Sequence, residues 1–252
     1  MNMTALDTLV SVITVCRNGE KTIARTIESV LQQSYGNIEY LVVDGASTDG
    51  TMMVVREYES AFHGRLKWVS ERDGGIYDAM NKGIHRAQGE IIGMINSDDW
   101  YERDSVAEVV DAYRHHGAGV YYGILRVLEN DQEVMLKRTN YRYLYRDVVG
   151  HPAFFVTADI YRTHGGFRLE FPFAADFELM MRLLHRKVPF IQIDEVLANF
   201  SLGGESTIHA LRTSEEYLRI RCEYGYMSKS SMRARLIRNR VSAWLEGINA
   251  RL

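Results

Sequence analysis

Apolar residues in the first hundred positions cluster into four short runs that predict β-strands. The first, LVSVITV (9–15), is continuous and β-branched, which is typical of a strand buried on both faces of a sheet. The other three are IEYLVVD (38–44), RLKWVSE (65–71) and EIIGMIN (90–96).

The segments between these runs have helical periodicity. After the first strand, apolar residues recur at positions 23, 27, 30 and 31, which is the spacing of one helix face. Further helices are predicted from about 49 to 60 and over 75–89. Four consecutive βα units predict an α/β fold with a parallel, doubly wound sheet and right-handed crossovers.

The second half of the chain has a less regular pattern. It predicts two strands around the turn ENDQ, a short strand in HPAFFV (151–156) and a helix in AADFELMMRLLHR (174–186). Two further strands are predicted within VPFIQIDEVLANFSL (188–202), and from about residue 208 the chain becomes helical and more basic.

Polar or charged residues follow each strand of the first half. In open α/β sheets, ligands bind beyond the carboxyl ends of the strands. Three of these four ends are acidic, and Asp98 and Asp99 are adjacent carboxylates that repel each other. We therefore predict a binding site at this edge in which a positively charged group lies next to the two carboxylates.

Composition and charge narrow the class of protein. The 252 residues are 46% apolar and 25% charged, as in an ordinary globular protein. The 30 basic and 33 acidic residues give a net charge of −3, so no nucleic-acid partner is predicted. Cys16 and Cys222 form no disulfide framework or metal-ligand spacing, which favours a reducing cytoplasm. No signal-peptide pattern and no run of roughly 18 apolar residues is present.

Two long segments together resemble a known enzyme family. They are SVITVCRNGEKTIARTIESVLQQSYGNIEYLVVDGASTDGT and ERDGGIYDAMNKGIHRAQGEIIGMINSDDWY, and the similarity recurs at GHPAFFV and FPFAADFELMMRL. The sequence resembles the family-2 glycosyltransferases, especially bacterial enzymes of surface-polysaccharide assembly of the colanic acid type. The resemblance implies a GT-A fold and inverting, metal-dependent transfer. It also implies a catalytic domain at 1–207, with a nucleotide-sugar part (9–101) and an acceptor part (102–207), before a basic helical extension at 208–252.

The resemblance assigns donor-binding roles to residues at the strand ends. Asp44 is expected to contact the nucleobase, and Asp73 to lie near the ribose and base. Arg17 is expected to hold the pyrophosphate by charge-assisted hydrogen bonds, while backbone carbonyls near Thr14 meet the base. The alternatives are that Asp44 or Asp49 caps the next helix and that Arg17 is an ordinary surface residue.

The same resemblance implies a divalent cation at the end of the fourth strand. Mg²⁺ or Mn²⁺ binds through one or two carboxylates plus substrate phosphates, and it stabilises a leaving diphosphate as a Lewis acid. Asp98 is predicted to be the main ligand and Asp99 a supporting one, unless Asp99 caps a helix. The family usually has Asp-x-Asp, whereas this chain has Asn96, so a lower metal affinity is expected.

An inverting displacement also needs a base for the proton of the acceptor hydroxyl. Asp176 occupies the family position for this base, although many relatives have Glu-Asp where this chain has Ala175 and Asp176. A helix cap is the alternative role. His151 is also at a family position and is predicted to line the acceptor site, with a purely structural role as the alternative.

The predicted reaction moves a hexosyl or N-acetylhexosaminyl group from a nucleotide diphosphate sugar, with uridine favoured, to a polysaccharide-repeat or lipid-linked acceptor. One alternative is a GDP-sugar donor, and another is an inactive sugar-nucleotide-binding assembly subunit. A nucleotidyltransferase is disfavoured, because CRNGEKT has one glycine where a glycine-rich phosphate loop would be needed.

The C-terminal segment combines an apolar stripe with basic residues. On a helical wheel, one arc of roughly 100° holds Ile237, Val241, Trp244, Leu245, Ile248 and Leu252. The arginines that border it are Arg233, Arg240 and Arg251 on one side and Arg238 on the other. This pattern predicts peripheral binding to the anionic inner face of the cell membrane. Packing of the stripe on the catalytic domain or on a second subunit is the alternative.

Overall fold

A computed structural model describes residues 8–146, 148–203 and 210–249, and it describes their side chains except at 210 and 240–249. The strands of this part of the chain form one sheet. They are β1 (Val10–Cys16), β2 (Ile38–Asp44), β3 (Leu66–Ser70), β4 (Ile91–Met94), β5 (Trp100–Tyr101), β6 (Val120–Glu129), β7 (Gln132–Lys137), β8 (Phe154–Thr157) and β9 (Phe190–Ser201).

Helices connect the strands and extend beyond them. They are α1 (Ile23–Leu31), α2 (Thr51–Glu57), α3 (Ile76–Arg86), α4 (Ser105–His116), α5 (Ala158–His164), α6 (Ala175–His185), α7 (Ala210–Glu223) and α8 (Lys229–Asn249). Short 3-10 turns lie at Ser60–Phe62, Tyr141–Tyr143 and His151–Ala153.

The sheet has the order β3-β2-β1-β4-β8-β6-β9-β5, with β7 paired to β6. The four strands at one side, β3, β2, β1 and β4, are parallel to one another. Beyond them β8 runs antiparallel to β4 and β6, while β6 and β9 are parallel. The predicted α/β fold with a parallel, doubly wound first part is confirmed, and the less regular second half forms a mixed part of the same sheet.

Alternating side chains on the strands supply a core on each face of the sheet. Ile13 and Val15 of β1 pack in the cluster that includes residues of α3, α5, α6 and α7. Val10 and Val12 pack in the opposite cluster, with residues of α1, α2 and α4. Each fully buried aliphatic side chain contributes about 1.5–3 kcal/mol. Packing on both faces holds the strands in register, and Asp44 lies opposite Cys16 of β1 and Ser70 of β3.

The prediction of two strands within 188–202 is wrong. β9 is a single strand, and its ladder with β6 shifts register between the pairs Tyr122–Gln192 and Ile124–Val196. Between these pairs β6 advances two residues and β9 four, which forms a bulge. The charged pair Asp194 and Glu195 lies in this bulge, so it interrupts the apolar pattern without ending the strand.

Helices at the C-terminus agree with the sequence pattern, whereas α4, α5 and β5 were not predicted. None of the helices in the described residues is long and apolar enough to cross a membrane.

Candidate active site

The loops that follow β1, β2, β3 and β4 touch one another at the carboxyl edge of the sheet. A methyl group built on Gly19, after β1, would lie 3.0 Å from the hydroxyl oxygen of Ser97, after β4. A methyl group on Gly45, after β2, would lie 2.5 Å from Oδ2 of Asp73 and 3.5 Å from Cδ of Arg17. The four loops are therefore close enough for their side chains to meet one ligand.

Part of this edge forms a cleft of about 320 Å³. Its lining residues are Arg17, Gly45, Ala46, Thr48, Arg72 and Asp73. Arg17 and Asp73 were both predicted as site residues, and the structure brings them together. Arg72 was missed, and its only sequence signal was its place in the charged strand end ERD. Two guanidinium groups beside one carboxylate suit a ligand with both anionic oxygens and hydroxyl groups.

The β3–α3 loop has a defined conformation. Gly75 has a φ of +122°, which favours glycine, and its N–H donates to Oδ1 of Asp73 at 2.9 Å. Lys82 of α3 donates to the carbonyl of Arg72 at 2.8 Å and lies 3.3 Å from Oε1 of Glu71. Lys82 therefore holds the loop that presents Arg72 and Asp73.

Asp44 is fully buried, and its carboxylate has partners within the protein. Oδ2 accepts hydrogen bonds from the Ser47 N–H at 3.0 Å and the Ser70 hydroxyl at 2.6 Å. Oδ1 accepts from the Ser47 hydroxyl and from the Cys16 thiol, whose sulfur lies 3.6 Å away. The carboxylate closes the turn that forms one wall of the cleft. A contact between Asp44 and a nucleobase would have to replace one of these hydrogen bonds. This contact stays a prediction.

Thr14 and Asp49 also have structural partners. Thr14 is buried, and its hydroxyl accepts a hydrogen bond from Tyr40 at 2.9 Å, which leaves the Thr14 backbone as the predicted contact. Asp49 accepts the N–H groups of Thr51 at 3.0 Å and Glu20 at 3.2 Å. The hydroxyl of Thr51 also donates to Asp49 and is the main cause of the lowered pKa of Asp49. Asp49 thus accepts the N–H of the first residue of α2, although the N-cap residue of that helix is Gly50 and not Asp49.

Asp98 and Asp99 follow β4 in different environments. Asp98 is half-buried, and burial raises its pKa. Asp99 is fully buried, with Oδ1 accepting the Ser201 N–H at 3.1 Å and Oδ2 left without a hydrogen-bond partner. Burial first, and then the charge of Asp98, raises the pKa of Asp99 well above its ordinary value. Asn96 Oδ1 is also buried without a partner.

These side chains fit a cation that is completed by its substrate. In the described residues, no three His, Cys, Asp or Glu side chains are grouped as a metal cage. Asp98 and the unpartnered oxygens of Asn96 and Asp99 are hard donors, the type that Mg²⁺ and Mn²⁺ prefer. Such ions are held by one or two carboxylates when phosphates supply the remaining ligands.

Asp176, the second residue of α6, is tied to α3. It is half-buried, and its Oδ1 accepts a hydrogen bond from the Tyr77 hydroxyl at 2.8 Å. Oδ2 carries no hydrogen bond from the described part of the chain. Burial, followed by the charge of Asp176, raises the pKa of Tyr77 well above its ordinary value, so Tyr77 remains a donor. The free oxygen gives Asp176 the capacity to accept a proton.

His151 lies in one cluster with Tyr77, Phe167 and Asp176. Its ring packs against Phe167 at a centroid distance of 5.9 Å, and Phe167 also contacts the Tyr77 ring at 5.3 Å. Burial lowers the pKa of His151, and the nearby charge of Asp176 opposes this effect. The structure thus brings His151 and Asp176 together, as both predicted roles require.

Asn81 of α3 provides a second link between α3 and the loop before α6. Its Nδ2 donates to the Phe167 carbonyl at 2.9 Å, and its Oδ1 accepts the Phe167 N–H at 2.8 Å. Together with Tyr77, it fixes the cluster around Asp176 to the helix that follows Asp73.

Comparison with known proteins identifies the family. Residues 11–188 match the model of glycosyl transferase family 2. An uncharacterized glycosyltransferase of Mycobacterium tuberculosis is 35% identical over 202 residues, which cover 77% of this chain and 76% of that protein. The chain belongs to glycosyltransferase family 2. All the site residues predicted from the sequence, from Thr14 to Asp176, lie within the matched range.

This family-2 glycosyltransferase also resembles longer and more distant proteins. It is 28% identical to the chondroitin synthase of Escherichia coli over 205 residues, covering 79% of this chain and 30% of that enzyme. Staphylococcus aureus TarS, solved with UDP-GlcNAc, matches with a TM-score of 0.70 and 18% identity, covering 93% of this chain and 73% of that one. Mannosyltransferase PcManGT of Pyrobaculum calidifontis, solved with GDP-Man and Mn²⁺, matches with a TM-score of 0.70 and 18% identity, covering 91% and 69%. These likenesses show that the glycosyltransferase has the GT-A fold.

Proposed function

We propose that this glycosyltransferase takes its sugar from a nucleotide diphosphate sugar bound at the carboxyl edge of β1–β4. The observation that carries this proposal is the cleft in which Arg17, Arg72 and Asp73 lie together. The guanidinium groups would bind diphosphate oxygens, and the Asp73 carboxylate would accept ribose hydroxyls. TarS with UDP-GlcNAc and PcManGT with GDP-Man are consistent with such a donor on this fold. We favour uridine and keep guanosine as the alternative base.

The proposed metal ligand is Asp98, with Asp99 and Asn96 as support. Asp98 is the more exposed of the two carboxylates, which supports it as the ligand that an incoming cation would reach first. When bound, Mn²⁺ or Mg²⁺ would supply Lewis-acid stabilisation of the leaving diphosphate. The Mn²⁺ in the PcManGT complex supports a divalent ion of this kind.

The proposed base for an inverting displacement is Asp176. Tyr77 orients one carboxylate oxygen and leaves Oδ2 to take the proton of the acceptor hydroxyl. His151 would line the acceptor side of the same cluster. Retention of both Asp98 and Asp176 argues against an inactive assembly subunit, which would need neither group.

The proposed acceptor is a polysaccharide-repeat or lipid-linked sugar, met at the inner face of the cell membrane. The catalytic domain would comprise 1–207, and 208–252 would form a membrane-directed extension. On α8, Met232, Leu236 and Asn239 are half-buried, and Asn239 donates to the Ser214 hydroxyl of α7 at 3.0 Å. Ile237, on the other side of the helix, is 65% exposed.

Ile237 is the first residue of the predicted apolar stripe. Its exposure supports contact with a membrane rather than packing on the catalytic domain. Arg233 and Arg238 are exposed beside Ile237. The other predicted residues of this surface lie outside the described side chains; they are Arg240, Val241, Trp244, Leu245, Ile248, Arg251 and Leu252.

A thermal-shift and turnover panel tests the proposed function. UDP- and GDP-sugars are added to the full chain with and without Mn²⁺, and sugar release or transfer is measured in parallel. A donor at 100 times its Kd should stabilise the protein by about 2.7 kcal/mol. Stabilisation by one donor class with Mn²⁺-dependent turnover supports an active enzyme. Stabilisation without any turnover would favour the assembly subunit, and no stabilisation by any sugar nucleotide would refute the proposal.

A further inference from the structure

Helix α7 lies beyond the family match at 11–188, yet it contacts the start of the helix that carries Asp176. Glu216 of α7 is buried, and its Oε2 accepts the backbone N–H of Phe173 at 2.9 Å. Burial raises the pKa of Glu216, while the hydrogen bond from the Phe173 N–H opposes this effect. The negative charge of Asp176 makes a smaller contribution to this increase.

Glu216 supplies a side-chain acceptor just before the start of α6, at the residue that precedes the N-cap. The residue at the N-cap of α6 is Ala174, which has no side-chain oxygen, and no side chain caps the helix there. Amide groups near a helix start need acceptors, and a negative charge is favourable at that end of the helix dipole. The carboxylate of Glu216 therefore anchors the backbone at Phe173, three residues before Asp176.

Aromatic contacts from α7 hold the residues on both sides of Asp176. The ring of Tyr217 packs edge-on against Phe177 at a centroid distance of 4.7 Å. The guanidinium group of Arg212 lies 5.6 Å from the Phe173 ring. Phe177 is the residue after Asp176, so α7 fixes the backbone before and after it.

We propose that Glu216 is a positioning residue, which holds the first turn of α6 so that Asp176 faces the acceptor hydroxyl. The inference rests on the proposed role of Asp176 as the base. Tyr77 orients the carboxylate from α3, and Glu216 fixes the backbone from α7. A displacement of about 1 Å in a reacting group is enough to slow a reaction on the order of 10²-fold. The catalytic geometry thus depends on a helix outside the family-matched region.

The experiment compares Glu216→Ala, Glu216→Gln and the matched control Glu223→Ala in the full chain. Glu223 is also an α7 carboxylate, but it pairs with Arg168 at 2.5 Å. Glu216→Ala should lower kcat of sugar transfer at least roughly tenfold, with donor Kd within about twofold of wild type. Glu216→Gln should recover most of kcat, because its side-chain oxygen still accepts the Phe173 N–H. Glu223→Ala should keep wild-type kcat.

Three results would overturn this role. Wild-type kcat in Glu216→Ala would exclude it, and a Gln variant as slow as the Ala variant would show that charge, not backbone anchoring, matters. An equal loss in Glu223→Ala would indicate general loosening of α7.

Amide hydrogen exchange separates this inference from the proposed function. Exchange at Phe173 should be faster in Glu216→Ala than in wild type, whatever the reaction, and it should be close to wild type in Glu216→Gln. If Asp176→Asn transferred sugar normally, the proposed base would be wrong even with this exchange pattern. Unchanged exchange in Glu216→Ala would refute the anchoring contact itself. If Glu216→Ala does not fold, Glu216→Gln is compared with Glu216→Asp instead. The shorter Asp side chain withdraws the acceptor from the Phe173 N–H, so the same differences in kcat and amide exchange are expected.

Discussion

The hydroxyl of Tyr77 donates a hydrogen bond to Oδ1 of Asp176 at 2.8 Å. The two residues are 99 positions apart, one at the start of α3 and the other at the start of α6. Tyr77 lies four residues after Asp73, which lines the cleft after β3. A single hydrogen bond therefore couples the proposed donor side of the site to the proposed base.

The first prediction separates chemistry from donor binding. Asp176→Asn should bind the donor nearly as well as wild type but transfer sugar at least roughly 10²-fold more slowly, because the amide cannot take the proton. Tyr77→Phe should have a smaller effect of about tenfold, since it removes one bond to a charged group but keeps the carboxylate. Single-turnover rates and donor Kd measure the two effects. Loss of donor affinity with unchanged turnover in Asp176→Asn would make Asp176 a binding residue.

The second prediction concerns the metal. Asp98→Ala should abolish transfer and remove the Mn²⁺-dependent part of the stabilisation by a nucleoside diphosphate, while the protein stays folded. The half-buried position of Asp98 is the reason for placing the cation there. The control is Asp111→Ala, which removes an exposed carboxylate of α4. Thermal shifts with and without Mn²⁺ measure the effect, and undiminished Mn²⁺-dependent turnover in Asp98→Ala would exclude this ligand.

A third prediction tests the cleft itself. Gly45→Ala should weaken donor binding, because its methyl group would lie 2.5 Å from Oδ2 of Asp73 and displace that side chain. Gly36→Ala is the matched control, since no atom lies within 4 Å of its added methyl group. Donor titration of both variants checks the prediction, and equal affinities would show that the donor does not use Asp73 in this arrangement.

The sequence was enough to predict that the loops after β1–β4 lie close together, because parallel strands place their carboxyl ends at one edge of the sheet. That rule alone brought Arg17 and Asp73 together, although they are far apart in sequence. The bulge in β9 was not predictable, because Asp194 and Glu195 look like a break unless the partner strand β6 is known.

Contacts between helices could not be predicted from the sequence for a similar reason. Tyr77 shows the helical spacing of a packing residue, and only the placement of α3 and α6 on one face of the sheet reveals its bond to Asp176. Glu216 lies in a segment without family resemblance, so only the packing of α7 on α6 brings it to the site. Arg72 could be identified as a cleft residue only from the conformation of the β3–α3 loop, which Lys82 holds.

The fourth prediction concerns pH and His151. Its folded-state pKa is lowered, so between that value and the ordinary value of about 6.5 the unfolded chain binds more protons than the folded one. His151 should therefore contribute a decrease in the free energy of unfolding as the pH falls below about 6.5. His151→Gln should make this decrease shallower, because no proton is taken up at that position on unfolding.

Urea unfolding at pH 7.5 and 5.5 measures this difference. The control is His116→Gln, which replaces an exposed histidine at the end of α4 and is unfolded under the same two conditions. Identical pH dependence in wild type and His151→Gln would contradict the lowered pKa.

The last prediction concerns α8. The chain from residue 227 onward has six basic residues and one acidic residue, within a protein of net charge −3. Each basic residue near an anionic bilayer contributes about 1 kcal/mol, and this attraction weakens with salt. The full chain should therefore co-sediment with vesicles that contain an anionic lipid, less so at high salt, and truncation before Ser228 should release it. Ile237→Glu should weaken binding, because Ile237 is 65% exposed beside Arg233 and Arg238. Met53→Glu is the matched control, since Met53 is 61% exposed on α2, and it should bind like wild type. If the truncated protein bound vesicles as well as the full chain did, α8 would be a packing element and the membrane contact would lie elsewhere.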